Sequence, residues 1–99
     1  MKKQFLLENK KELEDYCQKN QIKFFGLFGS FARGEERENS DIDVVIDFIE
    51  TKSLMKIGKI QYDLEESFGR SVDLVSKRSI KPALKNNILK DLKVLYEKK

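Results

Sequence analysis

The chain contains no histidine and only one cysteine, and these two shortages restrict its chemistry. Without histidine there is no imidazole base, no Ser-His-Asp triad and no histidine-rich zinc site. The single cysteine, Cys17, cannot form a disulfide within the chain, which suits a reducing compartment. Any acid–base or metal chemistry must therefore depend on carboxylates.

Long apolar runs are also missing. No run approaches the ~20 residues of a membrane-spanning helix, and Met1-Lys2-Lys3 is not followed by the apolar segment of a signal peptide. We therefore expect a cytoplasmic protein. The net charge is only +3, from 20 basic and 17 acidic residues, which argues against direct binding of nucleic acid. The 99 residues predict a single domain, residues 1–99.

A polar segment between two apolar runs organises the rest of the chain. The first run, Phe24 to Phe28, predicts the end of a strand, and the second, Val44 to Ile46, belongs to a strand predicted over Asp41 to Ile49. Between them, Gly29 and the following residues predict a small-residue turn and a short helix, Ser30 to Arg33. The pattern predicts strand, turn, helix, polar loop and strand in that order.

Two aspartates open the second of these strands. Asp41 and Asp43 are two residues apart, so their side chains leave the same face, with Cα atoms roughly 6.5–7 Å apart. Two like charges repel by about 3 kcal/mol at 5 Å and an effective dielectric near 20. A hard divalent cation offsets that repulsion, because Mg²⁺ takes oxygen ligands from carboxylates and substrate phosphates.

The turn before the short helix has the features of a phosphate site. Gly29 would let a ligand approach the backbone, and a helix N-terminus presents free N–H groups to an anion. Ser30 could cap the helix or contact a phosphate oxygen. For Arg33 two interpretations stay open, namely a bidentate contact with a phosphate or a surface ion pair with Glu35 or Glu36.

The remaining sequence alternates between helical and extended patterns. It predicts helices over Phe5 to Asn20 and Leu54 to Phe68, a last helix with Ser79 as N-cap and Pro82 in its first turn, and strands over Ile22 to Phe28 and Ser71 to Val75. For Lys93 to Glu97 two interpretations stay open, a short terminal strand or a continuation of the last helix. Asp47 shares a face with Asp43 but lies roughly 13 Å further along the strand, so we interpret it as a surface residue.

The third predicted strand repeats the pattern of the second. Val72 and Leu74 share one face, whereas Asp73 is on the other. If both strands belong to one sheet with helices on one side, Asp73 joins the two earlier aspartates. The alternative is a surface or helix-capping aspartate.

Gly29-Ser30, ten residues and then Asp41-Ile42-Asp43 resemble the signature of the DNA polymerase β-like nucleotidyltransferase superfamily. The flanking Arg33-Gly34 and Ser40 make the chain resemble the minimal nucleotidyltransferase (MNT) branch, the partner of HEPN-domain proteins. The resemblance covers nearly the whole chain. It implies an α/β nucleotidyltransferase fold, a small mixed β-sheet with helices packed mainly on one face.

The resemblance also implies a mechanism, transfer of AMP from ATP to a hydroxyl. Asp41 and Asp43 would hold two Mg²⁺ ions, or Mn²⁺ in their place, and Asp73 would be the third carboxylate, binding one ion and favouring deprotonation of the hydroxyl. Gly29 and Ser30 would cradle the β- and γ-phosphates, with Arg33 as a further phosphate contact.

By the same resemblance, the chain would be an antitoxin that adenylylates a tyrosine of a HEPN-type toxin, which would be its partner in a hetero-oligomer. One alternative is a non-catalytic binding module that neutralises its partner by contact. Another is adenylylation of a small molecule, which the lack of an acceptor domain weakens.

Overall fold

The computed structural model describes residues 9–35 and 41–98, except for the side chain of Phe31. These residues form a mixed four-stranded sheet with helices, which confirms the predicted α/β class. The elements in chain order are α1 (Lys10–Lys19), β1 (Ile22–Phe28), α2 (Gly29–Arg33), β2 (Ile42–Phe48), α3 (Leu54–Phe68), β3 (Val72–Ser76), a 3₁₀ turn (Lys77–Ser79), α4 (Pro82–Asp91) and β4 (Lys93–Glu97).

The strand order is β3-β2-β1-β4. β1 is antiparallel to both of its neighbours, β2 and β4. β3 is parallel to β2, because the intervening α3 returns the chain to the edge where β2 began. This crossover brings the starts of β2 and β3, and the side chains they carry, to the same edge of the sheet.

The main core lies on one face of the sheet, beneath α1 and α3. Both helices direct an apolar stripe at this face, and alternate residues of the central strands meet them. The core consists of Leu13, Cys17, Ile22, Phe25, Leu27, Ile42, Val44, Ile46, Ile60, Leu64, Phe68 and Val72. The residues of β2 that alternate with its aspartates, Ile42, Val44 and Ile46, therefore lie in this core.

The starts of the first and last helices differ from the prediction. The first helix begins at Lys10, with the Asn9 side chain accepting a hydrogen bond from the backbone of Glu12, and the predicted residues 5–8 lie outside the described part. Ser79 is not the N-cap of the last helix. Lys81 takes that position without a side-chain cap, since the residue before a proline favours extended backbone and Pro82 suits the first helical turn.

The opposite face of the sheet is only partly open. α4 crosses it, with Ile88 buried and Leu92 beside Gly26 of β1. A cavity of about 470 Å³ remains between α4, the end of β1 and β3. In the described ranges, no helix is both long and apolar enough to cross a membrane.

Candidate active site

The site is built on one row of residues that crosses three strands. Phe28 at the end of β1 pairs with Asp43 of β2, and Asp43 pairs with Asp73 of β3. Because paired residues of neighbouring strands point to the same face, Asp43 and Asp73 emerge side by side, away from the core. The predicted meeting of these two carboxylates is confirmed by the strand register.

Asp41 lies immediately before β2 and is exposed, whereas Asp43 is half-buried. Burial raises the pKa of Asp43 above its ordinary value, and the negative charges of Asp73 and Asp41 raise it further. The cation of Arg33 acts in the opposite direction but does not cancel these effects. The negative charges of Asp73 and Asp41 therefore destabilise the charged form of Asp43.

Gly29 begins α2 with φ of +74°, a left-handed conformation that side chains rarely adopt. A Cβ atom at this position would collide with the carboxylate of Asp43. The two residues therefore lie against each other, although 14 residues separate them in sequence. Both the backbone angle and the close approach require glycine here, so a ligand at Asp43 would also lie beside the Gly29 backbone.

α2 is a single short turn of helix that ends at Arg33. The amide of Glu35 donates to the carbonyl of Ser30 at 2.9 Å, and this bond closes the turn. Ser30 is thereby held next to Gly29 at the start of the helix. The contact of its hydroxyl with a phosphate stays a prediction.

Arg33 forms ion pairs in the structure, which agrees with the predicted surface ion pair. Its Nε donates to Glu35 at 2.6 Å, and its Nη1 donates to Asp91 of α4, also at 2.6 Å. Glu36, the other predicted partner, lies outside the described residues. No local pattern indicates Asp91 as a partner, because it lies 58 positions from Arg33 in the sequence.

Arg33 and Asp91 also line the 470 Å³ cavity, whose walls include Gly29, Asp73 and Asn87. Apolar side chains, among them Val75 and Leu84, form other parts of its lining. Small-molecule sites are typically about 300–1,000 Å³, mostly apolar, with a few polar groups that fix orientation. The cavity therefore has room for a nucleoside next to the carboxylates.

The donor set suits a hard divalent cation, since carboxylate oxygens are the ligands that such ions take. Yet among residues 9–35 and 41–98, no three acidic, cysteine or histidine side chains come together closely enough to hold a metal ion. The backbone register brings the aspartates to one edge, but their carboxylates do not converge on one point. Their assignment as metal ligands stays a prediction.

The interpretation of Asp47 as a surface residue is wrong, because the structure buries it. It is 8% exposed, and its carboxylate contacts Lys23 at 3.7 Å and Nε of Arg78 at 2.9 Å. Its Oδ1 also accepts from the backbone of Phe48 at 3.0 Å. The pattern could not reveal this burial, because the two cations come from β1 and from the turn after β3.

Known proteins share both the sequence and the fold of this chain. The family model described as polymerase beta, nucleotidyltransferase, matches residues 11–99. The protein adenylyltransferase MntA of Thermococcus cleftensis is 39% identical over 87 residues, covering 88% of this chain and 85% of that protein.

Two solved structures resemble the fold. A toxin–antitoxin crystal structure with AMP-PNP contains a chain that matches with a TM-score of 0.75 and 25% identity, over 92% of this chain and 75% of that one. A structure of tri-AMPylated Shewanella oneidensis HEPN toxin with MNT antitoxin matches with a TM-score of 0.68 over 94% of this chain and 73% of that one. At 21% identity this second likeness shows the fold alone. The family model and the Thermococcus relative show that the chain belongs to the polymerase β nucleotidyltransferase family.

Proposed function

We propose that the chain transfers AMP from ATP to a hydroxyl group, a tyrosine of a HEPN-type toxin, and thereby acts as an antitoxin. The observation that carries the proposal is the row in which Asp43 and Asp73 lie side by side, with Gly29 against Asp43. It combines a carboxylate pair with a backbone that a phosphate can approach. The name of the Thermococcus relative supports the adenylyl group, and the solved toxin–antitoxin structure with AMP-PNP supports an adenine nucleotide and a toxin as partner.

In this proposal the triphosphate binds along the start of α2, where the backbone of Gly29 and Ser30 contacts the β- and γ-phosphates. Asp41, Asp43 and Asp73 would hold divalent metal ions, Mg²⁺ or Mn²⁺, which neutralise phosphate charge when bound. The nucleoside would occupy the cavity beneath α4. Arg33 would contact a phosphate in exchange for one of its present carboxylate partners, Glu35 or Asp91.

The acceptor oxygen attacks the α-phosphorus in line with the bond to the bridging oxygen. A new oxygen–phosphorus bond forms as that bond breaks, and pyrophosphate leaves with the bonding electron pair. Asp73 favours loss of the hydroxyl proton, because its carboxylate points from β3 into the same space as Asp43. The described residues contribute no second domain, so we expect the toxin itself to hold the acceptor in place.

The test is to incubate the chain with a HEPN-type toxin, ATP and Mg²⁺, and to measure the mass of both proteins. We expect the toxin to gain about 329 Da per transferred AMP, and its ribonuclease activity to fall in parallel. The Asp41→Asn, Asp43→Asn double variant should still bind the toxin but add no mass. If that variant silences the toxin as well as the wild type does, the chain acts by contact and the enzymatic proposal is wrong.

Nucleotide binding is tested separately by thermal unfolding. A ligand that binds only the folded state raises Tm by mass action. ATP with Mg²⁺ should therefore raise Tm of the wild type, and the double variant should lose this response. An equal shift in both proteins would contradict the assignment of the two aspartates.

A further inference from the structure

The outward side of α3 is unusually apolar for a helix at the surface. Leu54 and Met55 are 88% and 86% exposed, and Tyr62 is 62% exposed. Residues four and seven apart lie on the same side of a helix, so these three side chains and Gly58 form one continuous surface. We call it the α3 outer face. Clustered exposed apolar groups of this kind mark interaction sites on soluble proteins.

Gly58 at the centre of the α3 outer face has no role in the fold of its own chain. A Cβ added there would meet no atom within 4 Å, and the residue shows no positive φ. Glycine inside a helix is less favourable than almost any other residue, because it loses more backbone freedom on folding. Because glycine has no side chain, the helix backbone is uncovered at this position, and another backbone could approach it closely.

The charges of α3 are arranged against the preference of its helix dipole, although Lys59 and Asp63 form an ion pair within the helix at 3.3 Å. Lys56 and Lys59 lie in its N-terminal half, whereas Asp63, Glu65 and Glu66 lie in its C-terminal half. The first turn has no acidic residue and the last turn has no basic residue. The helix dipole favours the reverse arrangement, with acids near the N-terminus and bases near the C-terminus.

This reversed arrangement becomes favourable when a second α3 lies antiparallel to the first. The basic half of each helix then lies along the acidic half of the other, and the two dipoles oppose each other. We propose that two copies of this chain associate through the α3 outer face, with their α3 helices antiparallel and crossing near Gly58. Leu54 and Met55 of each copy then lie near Tyr62 of the other.

The position of the face favours a second copy over the toxin as its occupant. α3 packs on the core face of the sheet, whereas Asp43 and Asp73 emerge from the opposite face. A toxin that delivers its hydroxyl to those carboxylates docks on that opposite face, a step of the argument that rests on the proposed function. Association through α3 would leave the candidate active sites of both copies accessible.

Sedimentation equilibrium of the chain alone tests the association, without nucleotide or toxin. We expect a reversible monomer–dimer equilibrium across micromolar to millimolar concentrations, and Tyr62→Glu should shift it to monomer. The matched control is Leu89→Glu on α4, since Leu89 is 51% exposed and lies away from α3. Monomer at every concentration, or equal loss of dimer in both variants, would overturn the proposal.

Gly58→Arg distinguishes an effect on association from an effect on folding. The monomer has space for the side chain, and arginine favours helix, so at a concentration where the wild type is monomeric Tm should rise by roughly 4–8 °C. The same substitution should abolish the dimer, because it fills the point where the helices cross. A more stable protein that still forms dimers would contradict the crossing at Gly58.

Disulfide cross-linking tests the antiparallel arrangement. Gly58→Cys places a thiol near the crossing point, so the two copies should cross-link. Glu66→Cys lies ~12 Å further along the helix, so in an antiparallel pair its two thiols are far apart and should not react. The native Cys17 does not interfere, because it is fully buried and burial raises its pKa to about 12.

If both variants cross-link equally, the helices are parallel and the proposal is wrong. It is also wrong if neither cross-links, or if the wild type stays monomeric and Tyr62→Glu instead prevents binding of the HEPN-type toxin. Failure of AMP transfer would leave all of these measurements unaffected, because none of them uses nucleotide. An experiment that disproves the α3 dimer would therefore leave the proposed AMP transfer untouched, and the reverse also holds.

Discussion

Asp43 and Asp47 lie four residues apart on the same side of β2, but the charged side chains around them have opposite signs. Asp43 faces two further carboxylates, Asp73 and Asp41, and these charges and its own burial raise its pKa. Asp47 is more buried, but Lys23 and Arg78 supply positive charge directly at its oxygens. Side chains of the protein thus neutralise the charge of Asp47, whereas the charge of Asp43 is neutralised only in part.

The comparison shows how a structural aspartate differs from a candidate catalytic one. The contacts of Asp47 join β2 to β1 and to the turn after β3, so its charge holds elements of the fold together. The charge of Asp43 is balanced only in part, by the cation of Arg33. A bound cation would complete that balance, which is the expected behaviour of a ligand site.

The largest expected effect comes from removing the acidic pair. Asp41→Asn with Asp43→Asn should lower AMP transfer by at least about 100-fold, as expected when charge stabilisation is removed from a reaction centre. Stability should not fall, because the substitution removes repulsion between carboxylates. Mass spectrometry of the toxin and thermal unfolding of the variant measure the two effects. A loss of activity that merely follows unfolding would contradict the assignment.

Asp47→Asn should lower stability and leave AMP transfer largely unchanged, the opposite of the double variant. We expect the free energy of unfolding to fall by about 1–3 kcal/mol, because Arg78 and Lys23 lose their buried partner but remain partly solvated. Urea unfolding measures the change, with Asp15→Asn on the exposed side of α1 as the control. AMP transfer measured well below Tm should change little. If transfer is lost in a folded variant, Asp47 belongs to the active site and the comparison fails.

Gly29→Ala tests the contact between the turn and Asp43. The positive φ should cost about 1–2 kcal/mol for a residue with a side chain, and the new methyl group must displace the Asp43 carboxylate. We therefore expect weaker ATP binding by calorimetry together with a modest loss of stability. Gly34→Ala is the control, because its φ is also positive but a Cβ there meets no atom within 4 Å. Equal effects on ATP affinity in both variants would show that backbone strain alone is responsible.

The smallest expected effect is the pH dependence of stability in metal-free protein. The pKa of Asp43 is raised in the folded state, so stability should decline as pH rises from the ordinary value of 3.8 through the raised value. Asp43→Asn removes this decline. The difference in Tm between variant and wild type should thus be near zero below that window and favour the variant by a few degrees above it. Thermal unfolding in EDTA from acidic to neutral pH measures it, and a wild type that gains stability relative to the variant over this window would refute the assignment.

Local patterns in the sequence are sufficient to predict most elements of the fold and the residues of the candidate site. The predicted strand Ile22–Phe28 and the predicted helix Leu54–Phe68 have the observed bounds, and Lys93–Glu97 forms a strand, one of its two predicted alternatives. Such elements depend on local apolar spacing and on neighbouring residues, such as Gly69, which ends α3 in a left-handed conformation. The prediction that Asp73 joins Asp43 also came from local alternation along two separate strands.

Which charges have a partner of opposite sign depends instead on the packing of distant elements. Asp47 receives its cations from Lys23 and Arg78, and Arg33 receives Asp91 from the last helix, across many residues of chain. Local periodicity gives the face on which a side chain lies, but not what another element brings against that face. Electrostatic energy depends on distances through space, so the separation of Asp43 from Asp47 in function arises only when β1, β3 and α4 assemble around β2.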